Sequence, residues 1–275
     1  MSDSAEERLA AGDPAGALKA LQQRVRANAA DPKLRTFLFQ LLAVLGQWPR
    51  ALDQLKVCGE LDAGTLAMVN TYTPALQCER VREGVFSGRT LPHVFGPPAP
   101  WVAQLAQALQ LDAEGESAAA AALRNEALEA APSAGGHFQL GAKAGEGEEQ
   151  AFEWFADADS RLGPVLELII NGRYGWLPLA NCASFSIEPV EDLRDLVWIP
   201  AHIVFANDAD TVALMPVRYA GTPLAEDGLA ALARRTEWLE TAPGQYRGIG
   251  QRSFATDSAE FGLLELRSLR FTRAA

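Results

Sequence analysis

A short self-match limits this chain more than any other feature of its sequence. Gly12, Ala17, Leu18 and Leu21 recur as Gly46, Ala51, Leu52 and Leu55, one tetratricopeptide period of about 34 residues later. The pattern describes two helices joined by a glycine turn, with a small residue at their closest approach and leucines filling the groove between them. A weaker third copy places Glu114 where the glycine is expected, shifts the glycine to Gly115, and offers Ala119, Ala120 and Leu123 for packing.

The helix between the first two copies supports this reading. Leu34, Phe37, Leu38, Leu41, Leu42 and Leu45 form a stripe at helical spacing. Asp31-Pro32 opens that helix and Gly46 closes it. Helices are expected over 4–11, 14–28, 32–45, 49–59, 63–83, 98–111 and 116–131, with a Gly- and Pro-rich loop over 84–100. Such helix pairs commonly offer a groove to a partner helix.

After Ala131 the composition changes. Residues 132–150 are rich in Gly, Ser and Glu and read as a linker. Beyond it the apolar runs become short and β-branched. Val165–Ile170 and Tyr174–Leu179 flank Asn171-Gly172, a strong hairpin signal. Further strands are expected at 184–188, 196–205, 211–218 and 262–271, with one helix near 224–234. The expected organisation is therefore an all-α, tetratricopeptide-like repeat domain (1–131), a linker (132–150) and a separate, mostly antiparallel α+β domain (151–275).

Charge narrows the partners. The 35 acidic against 24 basic residues give a net charge of -11, spread over both halves with no Lys/Arg cluster. That field repels nucleic acid and anionic lipid and suits a basic or amphipathic peptide. Cys58, Cys78 and Cys182 are odd in number and widely spaced, which fits reduced thiols and a cytoplasmic setting. The sequence shows neither an export signal nor an apolar run long enough to span a membrane.

Candidate chemistry is sparse. Asp157 and Asp159 are separated by one residue and could share a divalent cation, giving a metal-dependent hydrolase or transferase as the alternative function. With Arg161 two residues further on, an internal ion-pair and turn-capping cluster is the favoured reading. Glu188, Glu191, Asp192, Arg194 and Asp195 resemble the first turn of a short helix after Pro189. His93, His137 and His202 have no metal-ligand spacing, and His202 reads as a hydrogen-bonded strand histidine. No nucleophile elbow, zinc helix or phosphate loop is present. No catalytic residue, metal or cofactor is expected.

Five ordered motifs in the second half resemble the ImpE/TagJ family of type VI secretion accessory proteins. They are Ala156-Asp-Ala-Asp-Ser-Arg-Leu-Gly-Pro-Val-Leu-Glu167, Asn171-Gly-Arg-Tyr-Gly-Trp-Leu-Pro178, Glu188-Pro-Val-Glu-Asp-Leu-Arg-Asp-Leu-Val-Trp-Ile-Pro-Ala201, Pro216-Val-Arg-Tyr219, and Arg235-Thr-Glu-Trp238 with Gly248-Ile-Gly-Gln-Arg252. The resemblance implies a helical-repeat part joined to an α+β part. It also implies a non-enzymatic adaptor that binds the N-terminal helix of the small contractile-sheath subunit and helps present the sheath to its AAA+ disassembly ATPase. Asp157, Asp159, Arg161, Asp192, Arg194, Asp195 and Trp198 are the candidate partner contacts.

Overall fold

The computed structural model describes residues 4–142, 147–224 and 227–272. Its first part is helical: α1 (Ala5–Ala10), α2 (Pro14–Ala27), α3 (Pro32–Val44), α4 (Trp48–Leu61), α5 (Leu66–Phe86), α6 (Pro100–Glu114) and α7 (Ser117–Ala130). Local chemistry sets the starts. Ser4 and Glu7 form a capping box on α1, while Asp13 and Asp31 cap α2 and α3, each followed by proline at the first helical position. The turns of all three repeat copies pass through left-handed glycines, Gly12, Gly46 and Gly115, at φ 81°, 65° and 85°. The pairs α1/α2, α3/α4 and α6/α7 follow from those turns.

The second part is rich in strands: β1 (His93–Val94), β2 (Gly136–Leu140), β3 (Glu149–Phe152), β4 (Phe155–Asp157), β5 (Val165–Ile170), β6 (Arg173–Pro178), β7 (Cys182–Ile187), β8 (Trp198–Phe205), β9 (Asp210–Pro216), β10 (Thr236–Ala242), β11 (Gln245–Gly250), β12 (Ser253–Thr256), β13 (Glu260–Gly262) and β14 (Leu266–Phe271). Nine form one sheet in the order β1-β6-β5-β9-β8-β7-β14-β2-β3. Its pairs are antiparallel except β1–β6. A three-stranded sheet, β13-β12-β4, and the hairpin β10–β11 complete it. The Asn171-Gly172 turn joins β5 to β6 as expected, with φ 50° and 73° at its two residues.

Three expectations about elements need correction. Residues 132–150 are not simply a linker, because β2 lies within them and Phe138 is in the core at 1% exposure. The glycines there serve close packing: a β-carbon on Gly136 would stand 2.2 Å from the Arg270 carbonyl. Residues 224–234 hold only a four-residue helix, α8 (Gly228–Ala231), preceded by a 3-10 turn over Thr222–Leu224; residues 225–226 lie outside the described residues. The stretch 262–271 is broken by a 3-10 turn at Leu263–Glu265.

The two parts are not separate in packing. One apolar cluster runs from Leu21, Phe39, Leu42 and Tyr72 of the helices into Val165, Ile169, Trp176 and Trp198 of the sheet. A second cluster, around Phe138, Phe155, Phe185 and Phe254, fills the strand-rich part alone. Seven consecutive residues of α3, Leu38–Val44, are buried, so this helix is covered on every side.

Candidate functional site

Asp157, Asp159 and Arg161, singled out in the sequence, turn inward and meet Glu167, Arg218 and Arg252 where helices join sheet. Asp157 ends β4, and its carboxylate pairs with Arg252 and accepts the Tyr219 hydroxyl at 2.9 Å and the Asp159 N–H at 2.8 Å. Asp159 binds Arg161 through both oxygens and also accepts the Gly248 N–H at 3.0 Å. Glu167, on the central strand β5, accepts Arg82 Nε at 2.7 Å and Nη2 at 3.0 Å, the Tyr174 hydroxyl at 2.6 Å, and Arg252. Glu79, one turn before Arg82 on α5, accepts the Trp198 indole N–H at 2.7 Å. With Arg218, four guanidinium groups face four carboxylates, and all eight residues are buried.

Electrostatics follow from that burial. Dehydration disfavours the Glu167 carboxylate, but Arg82 and Arg252 outweigh it and hold the group at about 2. Burial, reinforced by Asp159, pushes the Asp157 carboxyl up to about 7 despite Arg252. Burial also brings Arg218 down to about 10, because its partners are carbonyls rather than carboxylates. The space left among these charges is a chamber of about 10 Å³ bounded by Trp48, Glu79, Arg82 and Arg218, room for about one water. A hollow of about 530 Å³ near Asn181 and Phe205 is lined by Gly, Pro, Ala, Phe and Asn, without acid, base or nucleophile. Among the described residues, no group of three or more His, Cys, Asp or Glu is placed to hold a metal ion.

The second set of expected contacts divides. Asp192 and Asp195 form a capping box on a 3-10 turn at Leu193–Leu196, which accords with the short-helix reading. Asp195 is buried, and Trp198 is fully buried between Trp48 and Tyr72. As candidate partner contacts, Asp192, Arg194, Asp195 and Trp198 therefore do not present one surface: only Asp192 and Arg194 are partly exposed, at 41% and 21% of the side chain. The segment lies on the helical array, with Gln40 donating to Asp192 at 3.4 Å and Arg194 over the Tyr72 ring at 5.1 Å. It packs against α3, on the helical array whose groove was expected to take a partner helix. His202 bonds Asp210 at 2.9 Å across β8 and β9, as read from sequence.

Two arginines fasten the repeats to the strand-rich part. Arg234 donates to the Leu9 and Ala10 carbonyls at the end of α1, at 3.0 and 3.1 Å. Arg218 donates to the Ala43 and Val44 carbonyls at the end of α3. Those acceptors are equivalent positions one repeat apart. The adjoining turn glycines are also engaged: a β-carbon on Gly12 would stand 2.8 Å from Leu229, and one on Gly46 would stand 2.3 Å from Pro223. Helix ends carry partial negative charge on their terminal carbonyls, which explains arginine in both places.

The comparisons with known proteins bear on this arrangement. The family model described as ImpE protein matches residues 149–270. The type VI secretion system accessory component TagJ of Pseudomonas aeruginosa is 53% identical over 267 residues, which cover 97% of this chain and 90% of that protein. The chain belongs to the ImpE/TagJ family. A crystal structure of a Vibrio parahaemolyticus protein superposes with a TM-score of 0.86 at 21% identity and covers 98% of both chains, showing the same fold.

The motifs by which ImpE/TagJ membership was legible converge on one buried place. Asp157, Asp159, Arg161 and Glu167 come from the first, Tyr174 and Trp176 from the second, Trp198 from the third, Arg218 and Tyr219 from the fourth, and Arg252 from the last. Sequence reasoning missed Glu79 and Arg82, which complete the network from α5. A buried acid and arginine three residues apart on one helix was the available signal, and it resembles an ordinary surface pair.

Proposed function

We propose that this ImpE/TagJ protein is a non-enzymatic, cytoplasmic adaptor of a type VI secretion system. It binds the N-terminal helix of the small sheath subunit and helps deliver the sheath to the AAA+ ATPase. The observation that carries the proposal is near full-length identity of 53% to TagJ, a type VI secretion accessory component. Burial of the acids supports the non-enzymatic part, since Asp157 and Asp159 spend their oxygens on protein donors.

With residues 192–198 packed against α3, the helical surface for a partner lies at the α4–α5 corner. Leu61 and Leu66 are 40% and 48% exposed there, and Asp53, Glu60 and Asp62 lie nearby in the chain. A basic amphipathic helix suits such a surface. The test is titration of the sheath subunit's N-terminal peptide into the full chain, with Leu61→Lys and Leu66→Lys alongside. Saturable micromolar binding weakened at least tenfold by the pair is expected. If neither the peptide nor the intact subunit binds, the adaptor reading fails. Removing residues 1–131 is not a usable control, because the shared core would be exposed.

A further inference from the structure

Strand β10 leaves one side of its backbone unused. Its neighbour β11 points Tyr246, Gly248 and Gly250 away from it. The Tyr246 N–H goes to the Ser160 hydroxyl and its carbonyl takes the Ser160 N–H, both at 2.9 Å. The Gly248 N–H goes to Asp159 at 3.0 Å and the Gly250 N–H to the Thr222 hydroxyl at 2.9 Å. The register sets Thr236, Trp238 and Glu240 opposite these three, so antiparallel alternation turns their own backbone groups outward. Among the described residues, those N–H and C=O groups meet no partner.

That edge stands in solvent. Glu237 through Thr241 are all exposed, and the hairpin shows Trp238, Leu239 and Tyr246 at 37%, 51% and 41% exposure. Bare edges are commonly blunted by lysine or proline. Thr236-Glu-Trp-Leu-Glu-Thr-Ala242 has neither, and its register shift falls only at the turn end, between Glu240 and Ala242.

We propose that the outer edge of β10 docks an extended, cationic segment of a partner protein, which adds to the hairpin as a third strand. Three outward residues supply three donors and three acceptors, and alternate side chains of the partner read the two faces. Charge decides the occupant. Arg235 already offsets Glu237 at 3.4 Å, whereas among the described residues the Glu240 carboxylate has only the Gly244 N–H at 3.1 Å. Lysine or arginine beside Glu240 gains an ion pair and can lie over the Trp238 indole. A second copy of the chain brings a further charge of -11 and is repelled. This site goes beyond the sheath-helix reading and does not depend on it.

The probe is a fluorescein-labelled heptapeptide of alternating lysine and valine, titrated into the full chain by anisotropy, with amide exchange followed by NMR. Saturable binding is expected, with exchange at Trp238 and Glu240 slowed at least tenfold. N-methylation of alternate peptide nitrogens, exchange of lysine for aspartate, and Glu240→Lys in an otherwise normally folded protein should each weaken binding at least tenfold. Absence of binding, binding with unchanged exchange at Trp238 and Glu240, or equal binding of the N-methylated or aspartate peptide overturns the proposal. Edge-to-edge dimers of the chain in sedimentation would overturn the choice of occupant.

Discussion

Replacing Glu167 by glutamine keeps the shape of the side chain and removes only its charge. The fully buried carboxylate accepts two nitrogens of Arg82, the Tyr174 hydroxyl and Arg252. Its folded value of about 2 against an ordinary 4.5 converts, at about 1.4 kcal/mol per pH unit, to roughly 3 kcal/mol favouring the ionised form. Breaking a buried pair from one side costs about 3–5 kcal/mol, which agrees. Urea unfolding at pH 7 should therefore show Glu167→Gln less stable by roughly 3–5 kcal/mol, with Tm lower by about 6–15 °C. Because the folded value is depressed, this stability is fully present above pH 4.5 and is lost as pH falls toward 2, so the two proteins should converge in acid. Arg82 and Glu167 sit on different parts of the fold, so Arg82→Met with Glu167→Leu should lose at least about 2 kcal/mol less than the sum of the single changes. A loss below about 1 kcal/mol for Glu167→Gln, or strict additivity in the cycle, would refute the account of a clamp between helices and sheet.

Other outcomes follow from the same geometry. Asp157 is raised from 3.8 to about 7, so its contribution is present below pH 3.8 and lost as pH rises through 7; the stability of Asp157→Asn relative to the parent should increase between pH 4 and pH 7 in paired urea titrations. Arg218→Met removes the buried donor from the Val44 and Ala231 carbonyls and should cost about 2–4 kcal/mol, whereas the exposed Arg234→Met should cost about 1 kcal/mol or less, measured by thermal unfolding. Calorimetric titration with Mg²⁺, Mn²⁺ or Ca²⁺ should give no saturable heat that Asp157→Asn and Asp159→Asn abolish, since those oxygens already serve Arg252, Tyr219 and Arg161.

Elements governed by neighbours in the chain were legible in the sequence. The caps followed by proline, the turn glycines Gly12 and Gly46 and the Asn171-Gly172 hairpin each need only a few adjacent residues. The strands β1 to β4 and β10 to β13 were not: β1 and β4 are two and three residues long and pair with strands far along the chain, whereas the β10–β11 hairpin is local but its exposed residues carry no alternating apolar pattern. Likewise the ion pair between Arg82 and Glu167 joins residues 85 positions apart, and no local pattern marks it. The charged motifs were visible, but their direction was not: Asp157 and Trp198 look like contact residues until burial places them beneath the surface. Glycine density misled for a related reason, since a flexible linker and a tight strand crossing at Gly136 call for the same residue.

Helical repeats that touch only their neighbours behave as springs, and their pitch yields under small loads. Arg218 and Arg234 hold this array to the strand-rich part at two points one period apart. The first two repeats are therefore splinted: neither can wind or unwind without drawing an arginine off its helix end. A pull on the first two repeats would reach the strand-rich part through these two bonds as well as through the shared apolar core.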